Sequence, residues 1–330
     1  MRSKIKLKVL SDILKFMIFH KKTPIAVRWQ LTYRCPMRCM YCDIWKQKEP
    51  ELPTNKILLL LNEMKECGVK KISFSGGEPM LRDDINHVID YCLSRGISPE
   101  MNSTGFLIPR NIKYLKNLHL LKLSLDGPEE AHDFVRGREG AYRLIIQAAE
   151  AAASNKINFI FTATLTKFSI NKIEFLLNLT RKFNTSIAFQ PLLNIYSGCG
   201  TGNFESLYPT QKDYKDAVTK LIYWKRRGTY RMRNSLRSLR HIYNWPKYER
   251  LNCQAGKIFC MIGPTGILTP CDRLEYKISL PDCTELGFKK AFNSLPDVTC
   301  SGCGFCGSLE LNYLASLKWD IVSTLNKIMK

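Results

Sequence analysis

Three cysteines, Cys35, Cys39 and Cys42, stand in the run Cys-Pro-Met-Arg-Cys-Met-Tyr-Cys directly after an apolar, strand-like segment. Thiolates at this CxxxCxxC spacing can wrap one corner of an iron–sulfur cube and ligate three of its irons. One iron is then left without a protein ligand, and an open coordination position marks a reactive centre, not a structural one. A zinc site would want a fourth ligand close by, yet no His or Cys follows within thirteen residues. Three unrelated core cysteines would have no reason to align in a loop behind a strand. The chain holds thirteen cysteines, and nothing in it resembles a secretory signal: the apolar start is broken by Lys8, Asp12 and Lys15, and no small-residue cleavage site follows. Disulfides are therefore not expected, and clustered cysteines read as metal ligands or redox groups.

The elements that would position these cysteines follow from hydrophobic periodicity. Strands are expected at Ala26–Leu31, Lys71–Phe74, Ser98–Met101, Leu120–Leu125, Phe159–Leu165 and Ile187–Gln190. Helical patterns lie between them at Asn55–Cys67, Ile85–Arg95, Tyr142–Asn155 and Ile173–Phe183, and Asp83 or Asp84 is placed to cap the second. Alternating βα units imply a parallel sheet with helices outside. Six strands are too few for a closed eight-stranded barrel and suit an α/β fold of partial (β/α)6 TIM-like barrel type, with ligands at the strand C-terminal ends. A further helix, Gln211–Arg227, leads to a region where the alternation stops. The expected organisation is a basic amphipathic segment over 1–23, the barrel over 24–227, a basic linker over 228–249 and a small Cys-rich module over 250–330 that ends in a helix-like stretch, Leu309–Ile328.

Successive strand ends carry further motifs. Ser75-Gly76-Gly77-Glu78-Pro79 follows the second strand, Asn102-Ser103-Thr104-Gly105 the third, and Ser124-Leu125-Asp126-Gly127 the fourth, with His132-Asp133-Phe134-Val135-Arg136-Gly137 behind it. Glycines let backbone groups approach a ligand closely, although a tight βα turn explains a lone Gly-Gly pair as well. Arg136 offers a bidentate fork to a carboxylate, although a surface arginine would be unremarked elsewhere. In this order, and with Tyr41 at the aromatic position of CxxxCx(aromatic)C, the chain resembles the radical S-adenosylmethionine (radical SAM) enzymes. The resemblance implies a 4Fe-4S cluster on Cys35, Cys39 and Cys42 whose fourth iron chelates the amino and carboxylate groups of SAM. The reduced cluster would cleave SAM to a 5′-deoxyadenosyl radical that abstracts hydrogen from a substrate. It also implies SAM-binding positions at Tyr41, Gly76, Gly77, Glu78, Pro79, Asn102, Ser103, Thr104, Ser124, Asp126 and Arg136, the Asn102 segment at the ribose and Arg136 at the carboxylate. A reductant such as a flavodoxin or ferredoxin is the implied partner.

The later cysteines, Cys253, Cys260, Cys271, Cys283, Cys300, Cys303 and Cys306, resemble the SPASM and twitch modules that hold auxiliary clusters in such enzymes. The spacing CxxCxxC at the end departs from the CxxCx5C of a full SPASM module. Seven thiols at irregular spacing fall short of the eight that two cubes want, so one auxiliary 4Fe-4S cluster is preferred over two. Its expected ligands are Cys253, Cys271, Cys300 and Cys303, with Cys306 and Cys260 as substitutes. Cys260, in an apolar run, also reads as a core thiol, and a zinc ribbon is the competing reading for Cys271 and the last three. Cys67 and Cys92 read as core residues, and Cys199, in a Gly-rich loop, is ambiguous.

Fifty Lys and Arg face 29 Asp and Glu, a net charge of +21. Two stretches hold most of it: Met1–Lys22 carries +6 and Lys220–Arg250 carries +9. A local positive field of this kind favours an anionic partner, and a Lys-rich proteome explains it equally well. With its interleaved aromatics, 220–250 reads either as a phosphate- or nucleic-acid-holding surface or as a solvated face. The substrate is therefore expected to be anionic or presented at a membrane, and nucleic acid is the less favoured partner. No apolar run reaches the ~18–20 residues that span a bilayer, so the expected location is cytoplasmic, with peripheral contact at the inner membrane surface through the N-terminal segment. The alternatives are a peptide- or protein-modifying SPASM maturase, counted against modestly because the first cluster cysteine comes as early as position 35, a cluster-bearing electron carrier without catalysis, and a metal-stabilised nucleic-acid-binding protein.

Overall fold

A computed structural model of the chain describes residues 16, 18, 21–193, 204–271, 279–298 and 302–315. Six strands pair in parallel and in sequence order: β1 (Ala26–Thr32), β2 (Lys71–Gly76), β3 (Ser98–Ser103), β4 (Leu120–Ser124), β5 (Phe159–Leu165) and β6 (Ser186–Pro191). The helices α1 (Thr54–Glu66), α2 (Ile85–Ser94), α3 (Glu129–Arg136), α4 (Ala141–Ser154) and α5 (Ile173–Lys182) lie between them, with a short turn of helix at Ile108–Asn111. Element ends lie within two residues of those expected from the sequence. The cap of α2 differs. Asp84 occupies the N-cap position but makes no side-chain cap bond, because Arg82 and Thr54 take both of its carboxylate oxygens.

The strands do not read as the continuous apolar runs of a sheet buried identically on both faces. Trp29, Leu31, Ile72, Phe74, Leu121 and Leu123 point into the core, where α1 buries Ile57, Leu60, Leu61 and Met64 at helical spacing. Their neighbours in the strands, such as Arg28, Ser73, Ser75, Lys122 and Ser124, face a central cavity of about 530 Å³ instead. Period-two alternation thus sets apolar residues toward the helices and polar ones toward the interior.

The Cys-rich region extends this same sheet. β7 (Phe259–Ile262) pairs in parallel with β1, and β8 (Leu268–Thr269) pairs antiparallel with β7. At the other edge, beyond α6 (Gln211–Arg227), Met232 bridges Ile187 of β6, and the Arg233 N–H donates to the Ile187 carbonyl at 2.8 Å. The stretch expected as a linker is therefore packed against the barrel: Met232, Asn234, Ser238, Leu239 and Ile242 are buried, the last three in α7 (Leu236–Ile242). Of its aromatic residues, Tyr230 packs against Trp224 and Trp245 against Tyr214, and both are buried.

Two short helices, α8 (Cys283–Leu286) and α9 (Phe288–Asn293), pack on α1, and α10 (Cys306–Ala315) packs on α7 and β6. On one side Glu310 accepts from the Ser235 N–H (2.8 Å), and on the other the Arg28 guanidinium of β1 lies over the Phe305 ring (5.2 Å). The remainder of the helix expected over Leu309–Ile328 lies outside the described residues, as do residues 1–15 of the basic segment. Among the described residues no helix is long and apolar enough to cross a membrane.

Phe74 is fully buried where β2 meets the helical layer. Phe74→Ala should lower the unfolding free energy by about 3–5 kcal/mol, read from urea denaturation, because the cavity left behind adds to the lost transfer energy.

Candidate active site

The loop after β1 has no regular structure to hold it, so its shape depends on partners elsewhere. The Arg38 N–H donates to the Arg136 carbonyl and the Met40 N–H to the Val135 carbonyl, each at 3.0 Å, while Arg138 reaches the Pro36 carbonyl at 3.1 Å. All three partners sit at the C-terminal end of α3. That helix ends where Gly137 turns left-handed (φ +61°), and a Cβ there would come 2.2 Å from the Arg38 oxygen. Glycine is thus required twice over, by conformation and by contact. Met37, 1% exposed, plugs the loop into the core.

So held, Cys35, Cys39 and Cys42 line one wall of the cavity. Burial pushes the Cys35 and Cys42 thiols up to about 12, helped in each case by the neighbouring thiols. Burial also raises Cys39, against the pull of the Arg136 guanidinium, whose Nη1 lies 3.9 Å from the sulfur. Three adjoining thiols with no carboxylate among them are a donor set for an iron–sulfur cube, whose irons are soft enough to prefer sulfur. Among the described residues no group of three His, Cys, Asp or Glu side chains surrounds the position of a single metal ion.

The glycine pair after β2 serves this loop first. A Cβ on Gly76 would meet the Thr32 carbonyl oxygen at 2.1 Å, and one on Gly77 the Arg34 oxygen at 2.0 Å. The Gly77 and Glu78 N–H groups donate to those same two carbonyls. Both glycines also line the cavity, as do Asn102, Ser103, Thr104, Ser124, Tyr41 and Arg136, the positions expected to surround SAM. Glu78, Pro79 and Asp126 do not; they stand behind the wall. The fully buried Glu78 carboxylate accepts from the Met80 and Thr104 N–H groups and from the Ser103 and Thr104 hydroxyls. Burial raises its pKa in spite of these four donors. Glu78 therefore ties β2 to β3, and the two hydroxyls expected at a ribose are already engaged with it.

Asp126 joins the loop to β4 and α3. It accepts from the Tyr41 hydroxyl (2.9 Å) and the Thr164 N–H (2.8 Å), and it forms an ion pair with Arg136 Nε at 2.8 Å that lacks hydrogen-bond alignment. Arg136 thus arrives at the cavity with its charge already half-matched and its plane near the Tyr41 ring (5.6 Å). Two further residues of that motif act on backbone. Asp133 holds the Gly140 and Tyr142 N–H groups at the start of α4, and His132 Nδ1 accepts from the Asp126 N–H.

Sequence reasoning missed the cavity's interior. Arg28, Lys71, Glu100, Lys122 and Arg233 all face it. Burial pushes the Glu100 carboxyl up, but Lys122 at 2.7 Å and Lys71 at 3.6 Å overcome this and hold it at about 2. The signal was present in the strands, where Lys71-x-Ser73-x-Ser75, Ser98-x-Glu100-x-Asn102 and Lys122-x-Ser124 alternate polar with apolar. Trp45, just past Cys42, was missed as well; it lines the cavity with a buried indole N–H that has no hydrogen-bond partner among the described residues.

The later cysteines fall into separate places. Cys253 and Cys271 pack against one small apolar cluster that includes Ile25, Ala255 and Ile258. The carbonyl of Cys303 lies 2.8 Å from His241 Nε2, and the Cys306 thiol donates to the Phe189 carbonyl and accepts from Asn234. Cys260 is buried in β7, where burial and the nearby Cys283 raise its pKa, the environment of a core thiol. Cys199 and Cys300 lie outside the described residues.

His132 gives a pH test of this scaffold. Burial and then Arg136 hold its pKa down at about 4, against the opposing pull of Asp126 and Asp133. The unfolded chain takes up a proton near pH 6.5 that the folded chain refuses, so this stabilisation is full above that pH and is lost as pH falls toward 4. Between pH 7 and pH 5 urea denaturation should show a loss of about 2 kcal/mol that His132→Gln abolishes.

Residues 29–180 match the Radical SAM superfamily. The AdoMet-dependent heme synthase of Nitratidesulfovibrio vulgaris is 24% identical over 274 residues, covering 76% of this chain and 74% of its own. The mycofactocin maturase MftC of Mycobacterium ulcerans is 24% identical over 304 residues, covering 87% of this chain and 81% of its own. The crystal structure of SuiB from Streptococcus suis bound to S-adenosylmethionine shares the fold, with a TM-score of 0.68 at 16% identity over 85% of this chain and 68% of SuiB. The superfamily uses a 4Fe-4S cluster and S-adenosylmethionine, and the chain is a radical SAM enzyme.

Proposed function

We propose that Cys35, Cys39 and Cys42 hold the SAM-cleaving cluster and that the substrate enters the cavity these thiols border. The convergence of three half-buried cysteines, Arg136 and Tyr41 on one wall of a chamber of about 530 Å³ carries this reading. When bound, the cluster and SAM supply one-electron cleavage of the sulfonium bond and with it a carbon radical able to abstract hydrogen.

The chain supplies the rest. Its parallel strands and α10 wall the chamber, which limits the access of water to a reactive centre. Tyr41 and Asp126 fix the Arg136 fork, which is suited to a carboxylate of the cosubstrate. Gly76, Gly77, Asn102 and Ser124 border the space left for its other parts. An auxiliary cluster on Cys253, Cys271, Cys300 and Cys303 accords with the grouping of the first two, while the hydrogen bonds of Cys306 and the burial of Cys260 speak against their serving as substitutes.

A maturase acting on a peptide is the second reading, favoured by the long match to the mycofactocin maturase. Basic patches outside the barrel would then meet an acidic partner, and contact with a membrane remains part of the proposal for residues 1–23.

Anaerobically reconstituted enzyme should contain at least about four irons and four sulfides per chain, as one cube requires. With dithionite and SAM it should form 5′-deoxyadenosine and methionine, and Cys39→Ala should reduce that yield to background. Intact SAM in the presence of a fully loaded wild-type cluster would overturn the reading.

A further inference from the structure

Several charged groups facing the chamber have a hydrogen-bond or ion-pair partner. Glu100 is paired with Lys122 and Lys71. Glu310 accepts from the Ser235 backbone, and Arg28 donates to Ser75 Oγ at 2.9 Å while lying over Phe305. Arg233 differs. Its side chain lines the chamber, but among the described residues its guanidinium has no hydrogen bond and no ion pair. Glu100 and Glu310 act on it only from beyond contact distance, and burial depresses its pKa.

This arginine is not a loose surface group. Its own N–H is bonded to Ile187, Met232 before it is 4% exposed, and Asn234 after it is 2% exposed. Asn234 is fixed to β6 through both the N–H and the carbonyl of Phe189. The backbone on both sides is therefore pinned while the cation is left unmatched. A partly desolvated charge without a counter-ion costs free energy that an incoming anion can recover.

We propose that Arg233 is the docking group for a carboxylate of the substrate, an inference that rests on the chamber being the substrate site. The planar guanidinium matches a carboxylate through two parallel N–H···O bonds. The two oxygens of a carboxylate fill one edge of that fork, so the residue selects substrates by a carboxylate, whatever the bond that is then altered.

The test uses the reconstituted holoenzyme saturated with S-adenosylhomocysteine, which fills the cosubstrate's own carboxylate position. Butyrate, its neutral isostere butyramide and inorganic phosphate are titrated and followed by ligand-detected NMR. Wild type should bind butyrate about tenfold more tightly than butyramide, and Arg233→Gln should erase that difference, as expected for loss of one charge-assisted pair. Arg233→Lys, which keeps the charge but not the fork, should fall between them; if Arg233→Gln fails to fold, this variant and the wild-type comparison decide. Equal binding of butyrate and butyramide by wild type, unchanged butyrate binding in Arg233→Gln, or tighter binding of phosphate than of butyrate would each overturn the proposal. Formation of 5′-deoxyadenosine by the same wild-type preparation is scored separately. Its absence removes the radical reading, whereas loss of butyrate selectivity alone removes only the role of Arg233.

Discussion

Two backbone hydrogen bonds, from Arg38 and Met40 to the last carbonyls of α3, decide whether this site exists. A loop of irregular structure loses more entropy when fixed than it regains internally, so three cysteines in it converge only if something outside imposes their geometry. Here the C-terminal end of a helix does so. Its terminal carbonyls have no partners within the helix and are free to receive the loop's N–H groups. Asp126 adds a side-chain link through Tyr41 and Arg136, so β1, β4 and α3 meet at the cysteines.

The motifs consequently divide by what they touch. Gly76, Gly77, Asn102, Ser124, Tyr41 and Arg136 border the cavity. Glu78, Asp126, His132 and Asp133 stand behind it and satisfy backbone or side-chain donors that would otherwise be buried unpaired, at about 1–3 kcal/mol each. A buried carboxylate with several donors is a rigid joint between strand ends. Substitution there would loosen the cavity wall without removing any group that faces a ligand. The chamber beyond is a second layer of the same design, in which many inward strand positions are polar and the cations outnumber the carboxylates.

The barrel was legible because its strands and helices differ in period, and because the cysteine spacing admits few chemistries. Glu78 could be named from its motif but not assigned its role, since the partners at Ser103 and Thr104 come from another strand. The interior charges were hidden for a related reason: Arg28, Glu100 and Lys122 belong to different strands, and only strand register brings them to one face. The region around 228–249 looked solvent-facing from its charge. Its cationic side chains alternate with Met232, Leu239 and Ile242, which are buried, so composition concealed the packing. The later cysteines were least legible, because irregular spacing does not say which thiols share a neighbourhood.

The most direct measurement of the clamp is bound iron in Gly137→Ala. The added methyl would press on the Arg38 carbonyl and demand a left-handed backbone from alanine, yet it touches no thiol. The account predicts that the variant retains the wild-type circular dichroism spectrum but binds well under half the wild type's iron after identical anaerobic reconstitution. Full iron loading, with an unaltered electron paramagnetic resonance signal after reduction, would contradict it.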